Sequence, residues 1–594
     1  MNAFGKIKLG TLLVLALAWL AACTSGGPPV SPVPEKEVRP PITANPAPLR
    51  VDEAREHDSL HQHKLEEPGR IGHALKSIAS PATAMDGGSA KNAGAVFPPA
   101  PGATSLPPNF RYPSEPLNSE NYAHFDDNPV KRASEQPVST FSIDVDTGAY
   151  ANVRRFLNQG NLPVKDAVRV EEMINYFSYD YPLPKDKARP FSVTTEIAPT
   201  PWNQDSVLLR VGLKGHDIAA EKLPPANLVF LVDVSGSMMT PDKLPLLKSG
   251  LKLLVQNLRA QDRVSLVVYA GNTGVVLEPT PGDQKGKILA ALEGLSAGGS
   301  TNGGAGIKLA YAMAEQGFIQ GGINRVLLAT DGDFNVGTVS FEALKNMVED
   351  KRKTGVSLTT LGFGTGNYND RLMEQLADVG NGHYAYIDTL NEANKVLVTE
   401  MSSTLQTIAK DVKIQIEFNP AVVAEYRLIG YENRTLERED FNTDKIDAGD
   451  IGAGHTVTAL YEIVLTGNKG ARAEPLRYGK ELTAHGSKDE IALLRLRYKL
   501  PDSDTSKLIE QPLKTADIRR DAENTSADFR FSAAVAAFGQ LLRGGKYTGE
   551  FSYDDITKLA QNARGKDSFG YRGEFLALVN LAKSLGGGNQ QVQR

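Results

Sequence analysis

Five side chains carry the chemistry that this sequence offers most openly. Asp233, Ser235 and Ser237 lie in Asn227-Leu-Val-Phe-Leu-Val-Asp233-Val-Ser-Gly-Ser-Met238, where an apolar run ends in an acid and two hydroxyls. Thr301 lies in Gly298-Gly-Ser-Thr301-Asn302. Asp331 ends a second apolar run, Val326-Leu-Leu-Ala-Thr-Asp331-Gly-Asp333. All five present hard oxygen donors, the ligand type that suits an octahedral cation such as Mg²⁺ or Mn²⁺. Three neutral hydroxyls against two carboxylates leave such an ion more electrophilic than a cage of carboxylates would, and able to accept an acidic group from outside. The plainer alternative makes both acids strand-end turn residues and the serines caps of the next helix. Asp333 is read as a solvated acid.

The elements around these residues explain how they could meet. Leu228–Val232 and Val326–Ala329 are nearly all apolar, as strands buried on both faces of a parallel sheet are. Ligands of open α/β sheets bind beyond the carboxyl ends of the strands, where both acids and the serine pair fall. Thr301 follows a Gly-rich stretch and is expected on a loop at the same rim. Leu244, Leu247, Leu251, Leu254, Val255 and Leu258 recur at helical spacing, with Pro245 in the first turn. A strand at Val264–Ala270 and helices around Ile288–Leu292 and Ile307–Phe318 follow. Beyond Asp331 the pattern gives a helix Phe341–Lys353, a strand Val356–Leu361, a helix Asp370–Ala377, a strand His383–Ile387 and a last helix to about Leu405. Strands alternating with helices predict a doubly wound, mostly parallel sheet over residues 226–405.

This pattern closely resembles the metal-ion-dependent adhesion site of von Willebrand factor type A (vWA) domains. Asp233, Ser235 and Ser237 match its D-x-S-x-S motif, Thr301 its loop threonine and Asp331 the acid of its T-D-G motif. The resemblance implies a Mg²⁺ (or Mn²⁺) site that binds a partner protein through that partner's Asp or Glu, without catalysis.

Outside this segment, period-2 alternation marks half-buried antiparallel strands at Val207–Leu213, Val412–Phe418, Val457–Leu465 and Leu494–Tyr498. The simplest packing joins them in one β-sandwich interrupted by the vWA segment. Before it, residues 121–225 form an α+β flank. A strand is expected at Thr140–Ile143, and helices through Tyr150, Val153, Phe156 and Leu157 and through Val170, Met173, Ile174 and Phe177. Residues 406–505 are β-rich. Residues 506–594 are expected to be helical, with Phe531, Ala534, Val535, Phe538, Leu541 and Leu542 on one face and a helix start at Ser552 and Asp555. The fold class is therefore α/β, a vWA sheet inserted in a sandwich-like domain with a helical C-terminal region. These flanks resemble those of bacterial vWA lipoproteins of the YfbK-like group.

The N-terminus reads as an address. Lys6 and Lys8 precede an apolar run, Leu9–Leu20, too short to span a bilayer and right for a signal-peptide core. It ends in Leu20-Ala-Ala-Cys23, which resembles a bacterial lipobox, with cleavage after residue 22 and lipidation of Cys23, the sole cysteine among 594 residues. With Thr at position 24, the resemblance to Gram-negative lipoproteins implies a lipid anchor in the outer membrane. Residues 23–120 hold 17 of the 35 prolines and lack periodicity, as a tether does. Such a coil of about 95 residues would reach ~50–60 Å. His57, His61 and His63, within it, are read as solvated.

Composition excludes several functions. A net charge of −5, pI near 6.1 and no basic patch argue against nucleic acid. No P-loop, dinucleotide fingerprint, His-Glu-x-x-His or Cys-rich zinc pattern occurs. Asp144-Val-Asp146 superficially resembles the first motif of haloacid-dehalogenase phosphatases, but that family's later elements are displaced or missing, and a strand-to-helix turn with an Asp cap is the preferred reading. Three functions therefore stand in order: a metal-dependent binding lipoprotein, an envelope assembly factor whose metal site only stabilises, and a phosphatase.

Overall fold

The computed structural model describes residues 120–589, except 187, 333–339, 475 and 477–487. The signal segment, Cys23, the three tether histidines and Asp333 lie outside the described residues.

Six strands form the central sheet, in the order Tyr384–Ile387, Ser357–Phe363, Ile323–Thr330, Ala226–Asp233, Arg263–Tyr269 and Thr273–Pro281. All pairs are parallel except the last. Ala226–Asp233 sits inside, with neighbours on both sides, and every residue of it is buried. Its alternate side chains serve opposite faces, as the pleat requires. Leu228, Phe230 and Val232 meet Leu247, Leu251 and Leu254 of helix Leu244–Gln256. Val229 and Leu231 meet Ile307, Tyr311 and Ala314 of helix Gly303–Gln316. Each such side chain contributes about 1.5–3 kcal/mol. A strand clothed by helices on both faces reads as a continuous apolar run, and its first polar residue marks the open end.

The expected sandwich is present. One sheet runs Lys131–Arg132, Val423–Ile429, Thr456–Leu465, Asn203–Gly215, Phe191–Thr200. The other runs Ile451–Gly452, Thr407–Phe418, Glu490–Lys499, Lys507–Lys514, with Val138–Ser142 also paired on Thr407–Phe418. Between them lie Leu209, Val211, Leu213, Ile414, Ile416, Phe418, Tyr461, Ile463, Leu494 and Leu496, the residues that alternate in the sequence. The chain leaves the sandwich after Gly215 and re-enters at Thr407, so the vWA segment is an insertion.

The segments on either side of the insertion therefore share one core. Strand Lys507–Lys514 also carries the sandwich into the stretch expected to be helical. As an edge strand it exposes most of its side chains and tolerates Pro512, so its sequence lacks the apolar alternation of inner strands. The outer face of the first sheet, through Ala198, Leu208 and Leu460, is covered by helices Gly148–Asn158, Val170–Asn175, Ala527–Leu542, Tyr553–Gln561 and Tyr571–Asn589. The expected start at Ser552 is a full capping box with Asp555. Among the described residues no helix is long and apolar enough to cross a membrane.

Candidate metal centre

The two acids arrive side by side because their strands are neighbours in register, Val232 opposite Ala329. Asp233 ends its strand, and Asp331 follows Thr330, the last residue of the next. Both are completely buried. Gly332 turns the chain away at φ +86°, with Asn369 N only 2.3 Å from where a Cβ would stand, so only glycine fits.

Ser235 is buried behind Asp233, and Ser237 is half-buried above it, their hydroxyl oxygens 3.0 Å apart. Ser235 stands at the N-cap position of the short 3-10 turn Gly236–Met239 but makes no side-chain cap bond there. Helix Leu244–Gln256 begins beyond both serines without a side-chain cap, so neither hydroxyl caps a helix. Thr301, half-buried, belongs to a loop laced onto the serine loop by backbone bonds. Gly298 N donates to Val234 O (2.8 Å) and Gly236 N to Gly299 O (3.0 Å). The result is a cup with carboxylates at its floor and hydroxyls toward its mouth. Met239, two residues after Ser237 in the chain, is 66% exposed.

The floor is fixed by donors that the motif alone did not point to. Asp233 Oδ1 accepts from Ser235 N at 2.8 Å. Its Oδ2 accepts from Thr330 Oγ1 at 2.8 Å and Tyr269 OH at 3.2 Å. Lys243 Nζ donates to Asp331 Oδ2 at 2.8 Å. Burial pushes the Asp233 carboxyl above its ordinary value, and nearby Asp331 adds to this, against hydrogen bonds from Ser235 and Thr330 that pull it down. Thr330 and Tyr269 were detectable as polar residues closing apolar strands. Lys243 was detectable as a cation immediately before a helix, where the backbone dipole disfavours it.

The donor set fits a hard divalent cation. It offers oxygen only, and two buried carboxylates whose mutual repulsion a cation would relieve. Among the described residues no group of three or more His, Cys, Asp or Glu side chains is arranged to hold a metal, so this hydroxyl-rich cup differs from a carboxylate cage.

Asp144 and Asp146 lie elsewhere. Tyr384, first residue of its parallel strand, donates its N–H to Asp146 Oδ1 at 2.8 Å, which places the pair at the end of the sheet opposite the cup. Arg434 bonds both acids, at 3.2 and 3.4 Å. The expected Asp cap is not found: helix Gly148–Asn158 starts at Thr147 without a side-chain cap, and Glu172 Oε2 accepts the Ala149 N–H at 2.7 Å instead. A carboxylate from another helix replaces the local one.

Comparison with known proteins agrees with this architecture. The von Willebrand factor type A domain model matches residues 227–399, a model described as von Willebrand factor matches 116–210, and one described as "Uncharacterized protein YfbK, C-terminal" matches 403–585. Sheet, helices and rim motif are together those of a vWA-domain protein. The chain belongs to the YfbK family: it is 52% identical over 472 residues to YfbK of Escherichia coli strain K12, covering 78% of this chain and 81% of that one. It is also 28% identical over 169 residues to human inter-alpha-trypsin inhibitor heavy chain H4, covering 27% of this chain and 18% of the other. Among solved structures, a von Willebrand factor type A protein from Catenulispora acidiphila aligns over 67% of this chain and 91% of its own, at 15% identity and a TM-score of 0.37.

Proposed function

We propose that this protein is a non-catalytic binding lipoprotein whose vWA cup engages a protein partner through a divalent metal. Ser235, Ser237 and Thr301 hold Mg²⁺ (or Mn²⁺) directly, and Asp233 and Asp331 hold it directly or through water. Bound there, the ion supplies an electrophilic position for a partner's Asp or Glu. The observation that carries this reading is the pair of fully buried carboxylates beneath the Ser235–Ser237 hydroxyl pair. Tyr269, Thr330 and Lys243 each already donate to a carboxylate oxygen, which favours holding an ion over turning a substrate over. Met239, exposed two residues after Ser237 in the chain, offers the partner an apolar contact.

Cys23 carries the lipid that places the protein in the cell envelope, at the outer membrane, with the Pro-rich stretch as its tether. The support is the apolar segment ending in Leu20-Ala-Ala-Cys23 and the absence of any second cysteine.

The test is a pull-down from envelope extract with the whole chain as bait, in Mg²⁺ and in EDTA, beside Asp233→Ala. A protein captured only by the wild type in Mg²⁺ is the expected result. The same proteins in all three lanes would overturn the reading.

A further inference from the structure

We propose that Lys243 is a built-in cation of the metal centre, which offsets one of the two buried carboxylates so that the cup holds its divalent ion less tightly and leaves it open to an anionic ligand atom. This rests on the reading of the cup as a metal centre.

Lys243 does not reach the cup by chance of surface packing. Its side chain is only 7% exposed, and Nζ lies 2.8 Å from Asp331 Oδ2 and 3.4 Å from Asn367 Oδ1. The fold makes a channel for its stem. Gly364 adopts φ +73°, and a Cβ there would stand 2.2 Å from Lys243 Cε and 2.4 Å from Cγ. Tyr386 OH fixes that glycine by donating to its carbonyl at 2.5 Å. Lys243 also immediately precedes helix Leu244–Gln256, whose free N–H groups and dipole repel a cation. A carboxylate at contact distance compensates for that placement.

The charge arithmetic gives the lysine its role. Asp233 and Asp331 bring two negative charges to the floor, and the ammonium reduces this to one. A divalent ion then leaves the centre with one net positive charge. Without the lysine the centre would be neutral, and the ion would sit tighter and attract a carboxylate less. Lys243 is thus a residue that sets ligand preference through the metal. It is not itself a ligand.

The experiment is a calorimetric titration of Mn²⁺ into the whole chain, its Lys243→Met form and its Lys243→Gln form. Met keeps the bulk of the stem beside Gly364, and Gln keeps a donor toward Asp331, so both remove the charge by different routes. Melting in EDTA identifies any variant that has lost its fold, and the comparison then rests on the other. Both variants should bind Mn²⁺ about tenfold tighter or more. They should melt lower than wild type in EDTA and gain more from added Mn²⁺. Acetate, as a carboxylate probe, should perturb the electron paramagnetic resonance of bound Mn²⁺ at lower concentration in the wild type than in either variant. Equal Mn²⁺ affinity in all three proteins would overturn the lysine's role while leaving the metal reading intact. Binding lost in the variants alone would make Lys243 a structural support and overturn it too. No Mn²⁺ binding by any of the three would remove both.

Discussion

Thr330 Oγ1 donates to Asp233 Oδ2 across 2.8 Å, so the residue that introduces one acid of the cup orients the other. The same hydroxyl accepts from Gly332 N at 3.2 Å, which leaves its proton for the carboxylate. Thr330→Val keeps the shape and removes this bond. Partners of this kind tune metal affinity by about 10–100-fold. Mn²⁺ binding to Thr330→Val should weaken within that range while the protein still folds. Unchanged affinity would mean that Asp233 needs no orientation.

Arg154 joins three parts of the chain. From helix Gly148–Asn158, with its side chain 3% exposed, it bonds Asp388 and Glu392 at the end of the vWA segment and Glu574 of helix Tyr571–Asn589. Arg154→Ala would leave Asp388 and Glu392 buried without their cation, a change that costs about 3–5 kcal/mol. A lysine has no planar fork and should not rescue it. Urea unfolding of the two variants measures both.

Stability should fall in mild acid through His455. Desolvation, with Lys395 and Lys214 adding, holds its imidazole down at about 4, below its ordinary value. Between about pH 6.5 and 4 the unfolded chain takes up a proton that the folded one resists, so this contribution is lost as pH falls. His455→Gln should melt with a shallower dependence on pH over that window. The difference between the two proteins should reach about 1–3 kcal/mol at its lower end. Parallel curves would show that His455 titrates normally when folded.

Asp144 and Asp146 should prove structural. Arg434 binds both and also Asp378 at 2.8 Å, and burial beside Asp144 pushes the Asp146 carboxyl well above its ordinary value. Asp144→Asn should lower stability by about 1–3 kcal/mol, since a buried charged partner is weakened. It should leave hydrolysis of p-nitrophenyl phosphate at the background of the wild type. Turnover in the wild type that this substitution abolishes would revive the phosphatase reading.

The apolar runs that end at Asp233 and Asp331 were legible because a strand covered on both faces has no polar residue until it opens to solvent. The sandwich strands were legible because large apolar residues such as Leu209, Val211 and Leu213 recur with period two on the face turned into the sandwich. Val207–Leu213 and Val457–Leu465 are not half-buried as expected, however: helices cover their other face through Leu208 and Leu460. Lys507–Lys514 and Thr273–Pro281 were missed for the converse reason. Both are edge strands with half or more of their side chains outside the core. The capping of one helix by Glu172 of another, and the reach of Lys243 past Gly364, depend on contacts between residues far apart in sequence. No local period records such contacts.

On the proposed reading, Asp233, Ser235, Ser237, Thr301 and Asp331 together hold one divalent ion. Electron paramagnetic resonance of Mn²⁺ titrated into the whole chain, beside Asp233→Ala, tests it most directly. One bound Mn²⁺ per wild-type chain and none in the variant is the predicted result. Equal binding by both proteins, or none by the wild type, would contradict it.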